Sequence, residues 1–454
     1  MLAKKKLKIS PALQIVLGFL VFIFVGTFLL CLPISSENGT WMGFVDGLFT
    51  STSAVCVTGL AVVDTAVHFS LFGEIVILLL IQIGGLGFIT LTSLLFLLLG
   101  KKISYNNRIA IKESLNKQDV QGVVKFVRNI IILVFLIEFM GAICLAPSLI
   151  STFGWGDGIF KSIFLSVSAF CNAGFDNLGT TSLQFSSLSG FAQNSLVLLP
   201  IMFLIVLGGI GYVVLFDVGA KIGKKRKMSF HSKLVLIITS ILIFGGAILF
   251  LICEWNNPET LGNMNVWDKI VNAFFQSITP RTAGFSTFDI SSLTPASRFI
   301  TMIYMIIGGS PVSTAGGVKT ITILVLLVSL FKMANSKGDV EFCKKKIPNN
   351  IIRKAMRVLF LYIIFMIFAT LTICVAEGNI VGVESVAFEV VSALSTVGLT
   401  LGQTPMLSVI SKLVLIVCMF IGRVGAVTLT VAIAGKSKNV NEEIEYPDSK
   451  LIIG

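Results

Sequence analysis

The sequence predicts an all-α membrane protein made of four membrane–pore–membrane units, each a helix, a re-entrant hairpin and a second helix, set around one pseudo-fourfold pore. Three observations lead there: eight apolar runs near membrane-spanning length, basic residues concentrated in alternate connections, and a pair of glycine landmarks that recurs in each quarter of the chain.

The 454 residues are 55% hydrophobic and 13% charged, about half the charged share of a soluble domain, and the mean hydropathy is +0.94. Runs at 13–32, 71–99, 130–147, 195–216, 234–253, 299–330, 358–376 and 410–434 approach or exceed the ~20 residues that carry a helix across a bilayer. They lack barrel alternation, and lipid-facing backbone must satisfy its own hydrogen bonds, so the runs must be helices. The first run follows Lys4, Lys5, Lys6 and Lys8, but no small-residue cleavage pattern precedes Trp41, and it reads as a retained helix. The eight cysteines form no CxxC pair and mostly sit inside apolar runs, as small buried hydrophobes. His68 and His231 are too few and too scattered for a metal site.

A net charge of +12 could suggest nucleic acid, but its distribution argues against it. Most of the 35 Lys and Arg fall in 1–11, 101–128, 221–233, 332–357 and 436–450, each a terminus or the connection after an even-numbered run. The other connections are acidic or neutral, with Glu37, Asp46, Asp157, Glu254, Glu259, Asp268, Glu377 and Glu384. Positive residues stay on the cytoplasmic side. The expectation is a multi-pass protein of the cell membrane, surrounded by lipid, with both termini cytoplasmic and no nucleic-acid partner.

Short semi-apolar stretches on the outer side repeat. They start at Phe49, Phe164, Phe274 and Phe388, and in each a glycine follows ten residues later: Gly59, Gly174, Gly284 and Gly398. Three carry Ser-Ala at the same offset; the third departs, with Ile278-Thr279 and then Pro280-Arg281. A second landmark follows each: Gly84-Gly85-Leu86-Gly87, Gly208-Gly209-Ile210-Gly211, Gly308-Gly309-Ser310 and Gly422-Arg423-Val424-Gly425. The spacings from first to second landmark are 25, 34, 24 and 24 residues. Two landmarks in one order, four times over, mark an internal repeat. The units are 1–100, 101–220, 221–335 and 336–435, with a cytoplasmic tail at 436–454.

Non-helical backbone at membrane depth survives where it lines water or is buried in protein. A cation leaving water needs its hydration shell replaced, and rings of backbone carbonyls do this for K⁺. The candidate carbonyl donors are Val57, Thr58 and Gly59; Asn172, Ala173 and Gly174; Thr282, Ala283 and Gly284; and Thr396, Val397 and Gly398. Short helices would aim their negative C-terminal ends at the ion. K⁺ bound at these carbonyls is the expected cargo, and the hairpin tips carry no acidic ring that would serve instead.

The segments Thr279-Pro-Arg-Thr-Ala-Gly-Phe285 and Gly308-Gly-Ser-Pro-Val-Ser-Thr-Ala-Gly-Gly-Val-Lys-Thr320, with the repeats that cover nearly the whole chain, resemble the Trk/Ktr/HKT superfamily of potassium transporters, and within it the bacterial KtrB-type membrane subunits. The resemblance implies that the four single glycines line a K⁺ filter. A serine at the first of them goes with Na⁺ selectivity in some plant relatives, and Gly59 stands there in this chain. It also implies an intramembrane gating loop, Na⁺ as an activating ion, and a homodimer on a separate ring of nucleotide-binding RCK subunits.

The sixth run carries Gly308, Gly309, Ser310, Pro311, Ser313, Thr314, Gly316 and Gly317 within ten residues, which no continuous helix tolerates. An unwound loop below the hairpins is expected to act as a gate, with a rigid kink as the alternative. Arg423, inside the eighth run, would pair with carbonyls of that loop; Lys319 would either repel cations or reach the cytoplasm. Glu138 reads as a packing carboxyl bonded to a neighbouring helix. The polar tail ends on Leu451, Ile452, Ile453 and Gly454, and such an apolar tip suits burial at a twofold dimer contact. Two other function classes fit less well. A secondary cation (Na⁺/K⁺) transporter with inverted repeats conflicts with four units of one orientation, and a membrane enzyme would need a catalytic set that is not visible.

Overall fold

The computed structural model describes residues 11–87, 123–223, 227–335, 340–342, 345–378 and 380–425. In chain order its helices are α1 (Pro11–Cys31), α2 (Phe44–Cys56), α3 (Thr65–His68), α4 (Leu71–Leu86), α5 (Val123–Phe153), α6 (Trp155–Cys171), α7 (Ser195–Ile210), α8 (Tyr212–Ile222), α9 (Phe230–Glu254), α10 (Val266–Ile278), α11 (Pro295–Ile306), α12 (Thr320–Asn335), α13 (Asn349–Glu377), α14 (Val383–Ser395) and α15 (Val409–Val424). A two-stranded ribbon pairs Glu341–Phe342 with Lys345–Lys346.

The protein is mostly helical and multi-pass. Helices α1, α5, α9 and α13 are long and apolar enough to cross a bilayer, and their outer faces expose Phe28, Phe139, Ile241 and Phe368. A band of large apolar side chains like this is unfavourable in water and at home in lipid.

The sequence expects eight membrane-spanning runs, of which the sixth alone is interrupted. The structure instead stops all four of the second helices at the second glycine landmark. Helices α4, α7 and α15 are 16 residues each and end on glycines with φ of 80°, 99° and 88° (Gly87, Gly211 and Gly425), while α11 has 12 residues and ends before Gly308. Helix-poor glycines (two before Gly87 and Gly211, one before Gly425) followed by a glycine of positive φ cannot propagate the ladder. Sixteen residues rise only about 24 Å. Beyond Gly211 the chain turns through 104° into α8. The parts of the second and eighth runs at 88–99 and 426–434 lie outside the described residues, as do the unit boundaries at 100/101 and 435/436.

The short helices α2, α6, α10 and α14 are the interior. Each packs on the long helix before it, α1, α5, α9 or α13. Each also receives the preceding mid-length helix: α4 lies on α6, α7 on α10, α11 on α14, and α15 returns to α2. This last contact joins the two ends of the chain and closes a circle. Hydroxyls inside the short helices are bonded to the long helices: Ser51 Oγ to Ile23 O at 2.7 Å, Ser166 Oγ to Glu138 O at 2.6 Å and Ser277 Oγ to Ile243 O at 2.8 Å. Gly26, Gly141 and Gly246 stand opposite these three serines, where a Cβ would collide with the hydroxyl.

Polar contacts brace the same pairs at one end of the circle. Lys412 Nζ meets Asp46 at 2.9 Å, Arg298 Nε meets Glu384 at 3.4 Å, Trp267 Nε1 donates to Ser195 Oγ at 2.9 Å, and Asn177 Nδ2 donates to Glu74 at 3.1 Å. All four short helices hold a carboxylate in the first turn, namely Asp46, Asp157, Asp268 and Glu384. Those charges sit against the positive N-terminal ends of the helix dipoles, leaving the negative ends directed at the residues that follow.

Candidate ion pathway

Each short helix runs into a residue with positive φ and then the glycine. Val57, Asn172 and Thr396 adopt left-handed angles of 57°, 58° and 53°, and the next amides, of Thr58, Ala173 and Val397, bond back to Ser53 O, Ser168 O and Ser392 O at 2.8 to 2.9 Å. The third hairpin closes differently. Here α10 ends at Ile278, Pro280 and Arg281 form a turn, Thr282 takes the positive φ of 75°, and Ala283 N bonds to Thr279 O at 2.9 Å. The Pro-Arg departure in sequence is therefore a different cap on the same kind of turn.

The serine of the Ser-Ala pair locks the glycine strand, a role the sequence pattern did not disclose. Ser53 Oγ accepts from Gly59 N and Ser392 Oγ from Gly398 N, both at 3.1 Å, while Ser168 Oγ donates to Phe175 O at 2.6 Å. Where the third hairpin lacks that serine, Thr279 Oγ1 donates to Phe285 O at 2.6 Å.

The four glycines come together. All have positive φ: 89° at Gly59, 70° at Gly174, 82° at Gly284 and 98° at Gly398. A Cβ on Gly59 would stand 2.5 Å from Ala173 O, and one on Gly174 2.7 Å from Ala283 O. One on Gly284 would strike Val397 O, and one on Gly398 would strike Thr58 O. Each glycine thus abuts the carbonyl preceding the next, in the cyclic order 59, 174, 284, 398 and back to 59. Of the other residues singled out in the sequence, Val57, Asn172, Thr282 and Thr396 form the turn beneath. The hydroxyls of Thr58, Thr282 and Thr396 are buried and have no hydrogen-bond partner among the described residues. Buried oxygens without a partner are uncommon in folded proteins.

A cavity of about 480 Å³ has the four glycines on its wall, together with Asp64, Asp176 and Asp289. Burial pushes the Asp176 carboxyl up to about 6; the N–H of Leu178 opposes the shift and the charge of Asp64 adds to it.

The loop between α11 and α12 lies against the glycine hairpins. Gly308 N bonds to Val318 O, Thr320 N to Gly309 O, Ser310 N to Gly209 O at 2.9 Å, and Thr314 N to Gly208 O at 3.3 Å. Thr314 Oγ1 donates to Phe170 O at 3.2 Å, Ser313 Oγ to Ser310 O at 2.6 Å, and Gly316 packs so tightly on Thr396 that a Cβ would overlap its hydroxyl. Pro311 and Val312 cover Gly211, and Gly317 has φ of 64°. The loop is held in one arrangement by the second and fourth hairpins. Arg423 donates from Nη1 to Thr314 O and from Nη2 to Gly84 O, so a single guanidinium joins the loop to α4. The second of these partners carries no signal in the sequence. Lys319 Nζ donates to Ala315 O at 2.5 Å. Glu138 accepts from Gln82 Nε2 at 3.2 Å. Leu451, Ile452, Ile453 and Gly454 lie outside the described residues.

A family model described as a cation transport protein, TrkH, matches residues 8–442. The chain belongs to the TrkH cation transport family. It is 40% identical over 449 residues to the potassium/sodium uptake protein NtpJ of Enterococcus hirae, with 98% of both chains covered. It is 38% identical to the Ktr system potassium uptake protein B of Bacillus subtilis, over 99% of this chain and 98% of that one. The corresponding protein of Vibrio alginolyticus is 34% identical, over 97% and 94%. Among solved structures, the potassium transporter TrkH from Vibrio parahaemolyticus superposes with a TM-score of 0.73 at 20% identity, covering 95% of this chain and 86% of that one. The resemblance read from Thr279–Phe285, Gly308–Thr320 and the repeats is thereby shown: this is a membrane cation transporter, not an enzyme.

Proposed function

We propose that the chain is the potassium-selective translocating subunit of an uptake system in the cell membrane, conducting through the ring at Gly59, Gly174, Gly284 and Gly398. The observation that carries this reading is the cyclic contact of the four glycines with one another's preceding carbonyls. Backbone carbonyls in a ring replace the hydration shell of K⁺, and four helix C-termini add negative potential there. The four helix–hairpin–helix successions act as repeats about a pseudo-fourfold axis. The positive-inside pattern sets both termini in the cytoplasm, so the 480 Å³ cavity is the external vestibule. The loop Gly308–Lys319 is the gate beneath the ring, and Arg423 is its latch. The Ktr names of two relatives support a regulatory partner, here proposed as a separate cytoplasmic nucleotide-binding RCK ring beneath a homodimer.

A second reading has one observation behind it. The Enterococcus hirae relative is named for both potassium and sodium uptake, which supports Na⁺ as an activating or co-transported ion. Purified protein in liposomes, assayed for ⁸⁶Rb⁺ uptake against competing K⁺ or Na⁺, separates the possibilities. Competition by K⁺ and not by Na⁺ supports the selective pore; equal competition overturns selectivity; uptake that requires Na⁺ supports the second reading.

A further inference from the structure

The spacing between the two landmarks is 34 residues in the second unit and 24 or 25 in the others. The additional chain lies at the cavity, where Leu183, Gln184 and Phe185 line it and are exposed. It is tied at both sides. Phe185 N donates to Asp64 Oδ2 at 2.5 Å, Leu188 N to Ser286 O at 2.9 Å, and Ser286 N to Ser187 Oγ at 3.1 Å. Asp64 is itself fixed, its Oδ1 accepting from Ala66 N and Val67 N. Phe185 and Ser187 have φ of 54° and 46°. L-residues enter that region only at a cost in backbone strain. Phe185 lines the cavity and is 47% exposed, although a large apolar side chain gains nothing from contact with water.

Potassium conduction does not call for this arrangement, since a hydrated inorganic cation prefers oxygen to an aromatic wall. The cavity volume suits a small organic ligand. Phe175, Phe185 and Phe288 supply apolar and aromatic surface; Asp64, Asp176 and Asp289 supply negative charge. Aromatic faces recognise quaternary ammonium groups by cation–π attraction. We propose that this cavity is a binding site for a quaternary ammonium or similar alkylated cation, with the Phe185 ring as its contact face and Asp64 holding that ring in place. Such a cation is too bulky for a ring of four glycines and would plug it from outside. The inhibition expected here rests on the potassium-pore reading; the binding does not.

Tetraethylammonium is the probe. Isothermal calorimetry on the full chain in detergent measures binding, and external addition during Rb⁺ uptake into liposomes measures block. Binding is expected in the wild type, retained in Phe185→Tyr and weakened roughly tenfold in Phe185→Ala and in Asp64→Ala. Half-inhibiting concentrations should follow the same order. No heat of binding in the wild type overturns the site, as does equal binding by Phe185→Ala and wild type. Binding without any Rb⁺ uptake leaves the site standing and sinks the potassium-pore reading; uptake without binding does the reverse.

Discussion

Replacing Gly59 by serine tests the ring most directly. At φ of +89° a side chain costs roughly 1–2 kcal/mol in backbone strain. The added Cβ would lie 2.5 Å from Ala173 O and 3.0 Å from Gly174 Cα, well inside ordinary contact. Both neighbours are main chain of the adjacent hairpin and cannot swing aside as a flexible side chain would. The strain is relieved by turning the Thr58–Gly59 and Ala173–Gly174 peptides, which misplaces carbonyls of two hairpins at once. If the 1–2 kcal/mol falls on ion coordination, discrimination of K⁺ over Na⁺ drops by a factor of roughly 5 to 30. The assay is competition of K⁺ and Na⁺ against Rb⁺ uptake in liposomes. Gly39→Ser is the control, because Gly39 has a positive φ of 65° but nothing within 4 Å of its would-be Cβ. Wild-type selectivity in Gly59→Ser, or an equal loss in Gly39→Ser, would refute the reasoning.

Deleting Ser310–Gly316 should raise Rb⁺ flux in the absence of any partner protein, whereas lower or unchanged flux in a folded variant favours a structural kink. Arg423→Ala removes two charge-assisted hydrogen bonds, to Thr314 O and Gly84 O, and should raise flux more mildly, by roughly tenfold or less; a fall in flux would count against a latch. Because burial raises Asp176 to about 6, its carboxylate is charged above that pH and neutral below it, so uptake from dilute K⁺ should decline as external pH falls from about 7.5 to 5.5. Asp176→Asn should show the low level throughout; a variant that keeps the wild-type pH profile would place the titration elsewhere. Removing Leu451–Gly454 should lower the dimer fraction in size exclusion with light scattering, and an unchanged fraction on dilution would dismiss the tail as a dimer contact.

The alternation of basic and acidic connections and the apolar runs made the multi-pass helical class readable, because both report the side chain's own preference for water or lipid. The hairpin glycines were readable for a similar reason: positive φ is a demand that composition records locally. The ends of α4, α7 and α15 carried a signal, the last glycine of each landmark (Gly87, Gly211 and Gly425), but the apolar residues that follow it in sequence masked it, since hydropathy does not register a change of backbone angle. The sequence separated the loop at Gly308–Lys319 from ordinary helix through its density of Gly, Ser and Pro, yet not the bonds to Gly208, Gly209 and Phe170 that hold it.

By itself the sequence determined that this chain crosses a membrane repeatedly, that its four glycine hairpins share one backbone requirement, and that a cation in Arg423 lies within an apolar run. Only the tertiary structure decided which partners meet: α15 against α2, Thr58 O against Gly398, Arg423 against Gly84, and Asp64 against Phe185. Burial and backbone angle are properties of a single position, so a linear pattern can express them. A contact between residues 339 positions apart, as in the Arg423–Gly84 bond, depends on how whole helices close into a circle, and that is set by side-chain packing in three dimensions.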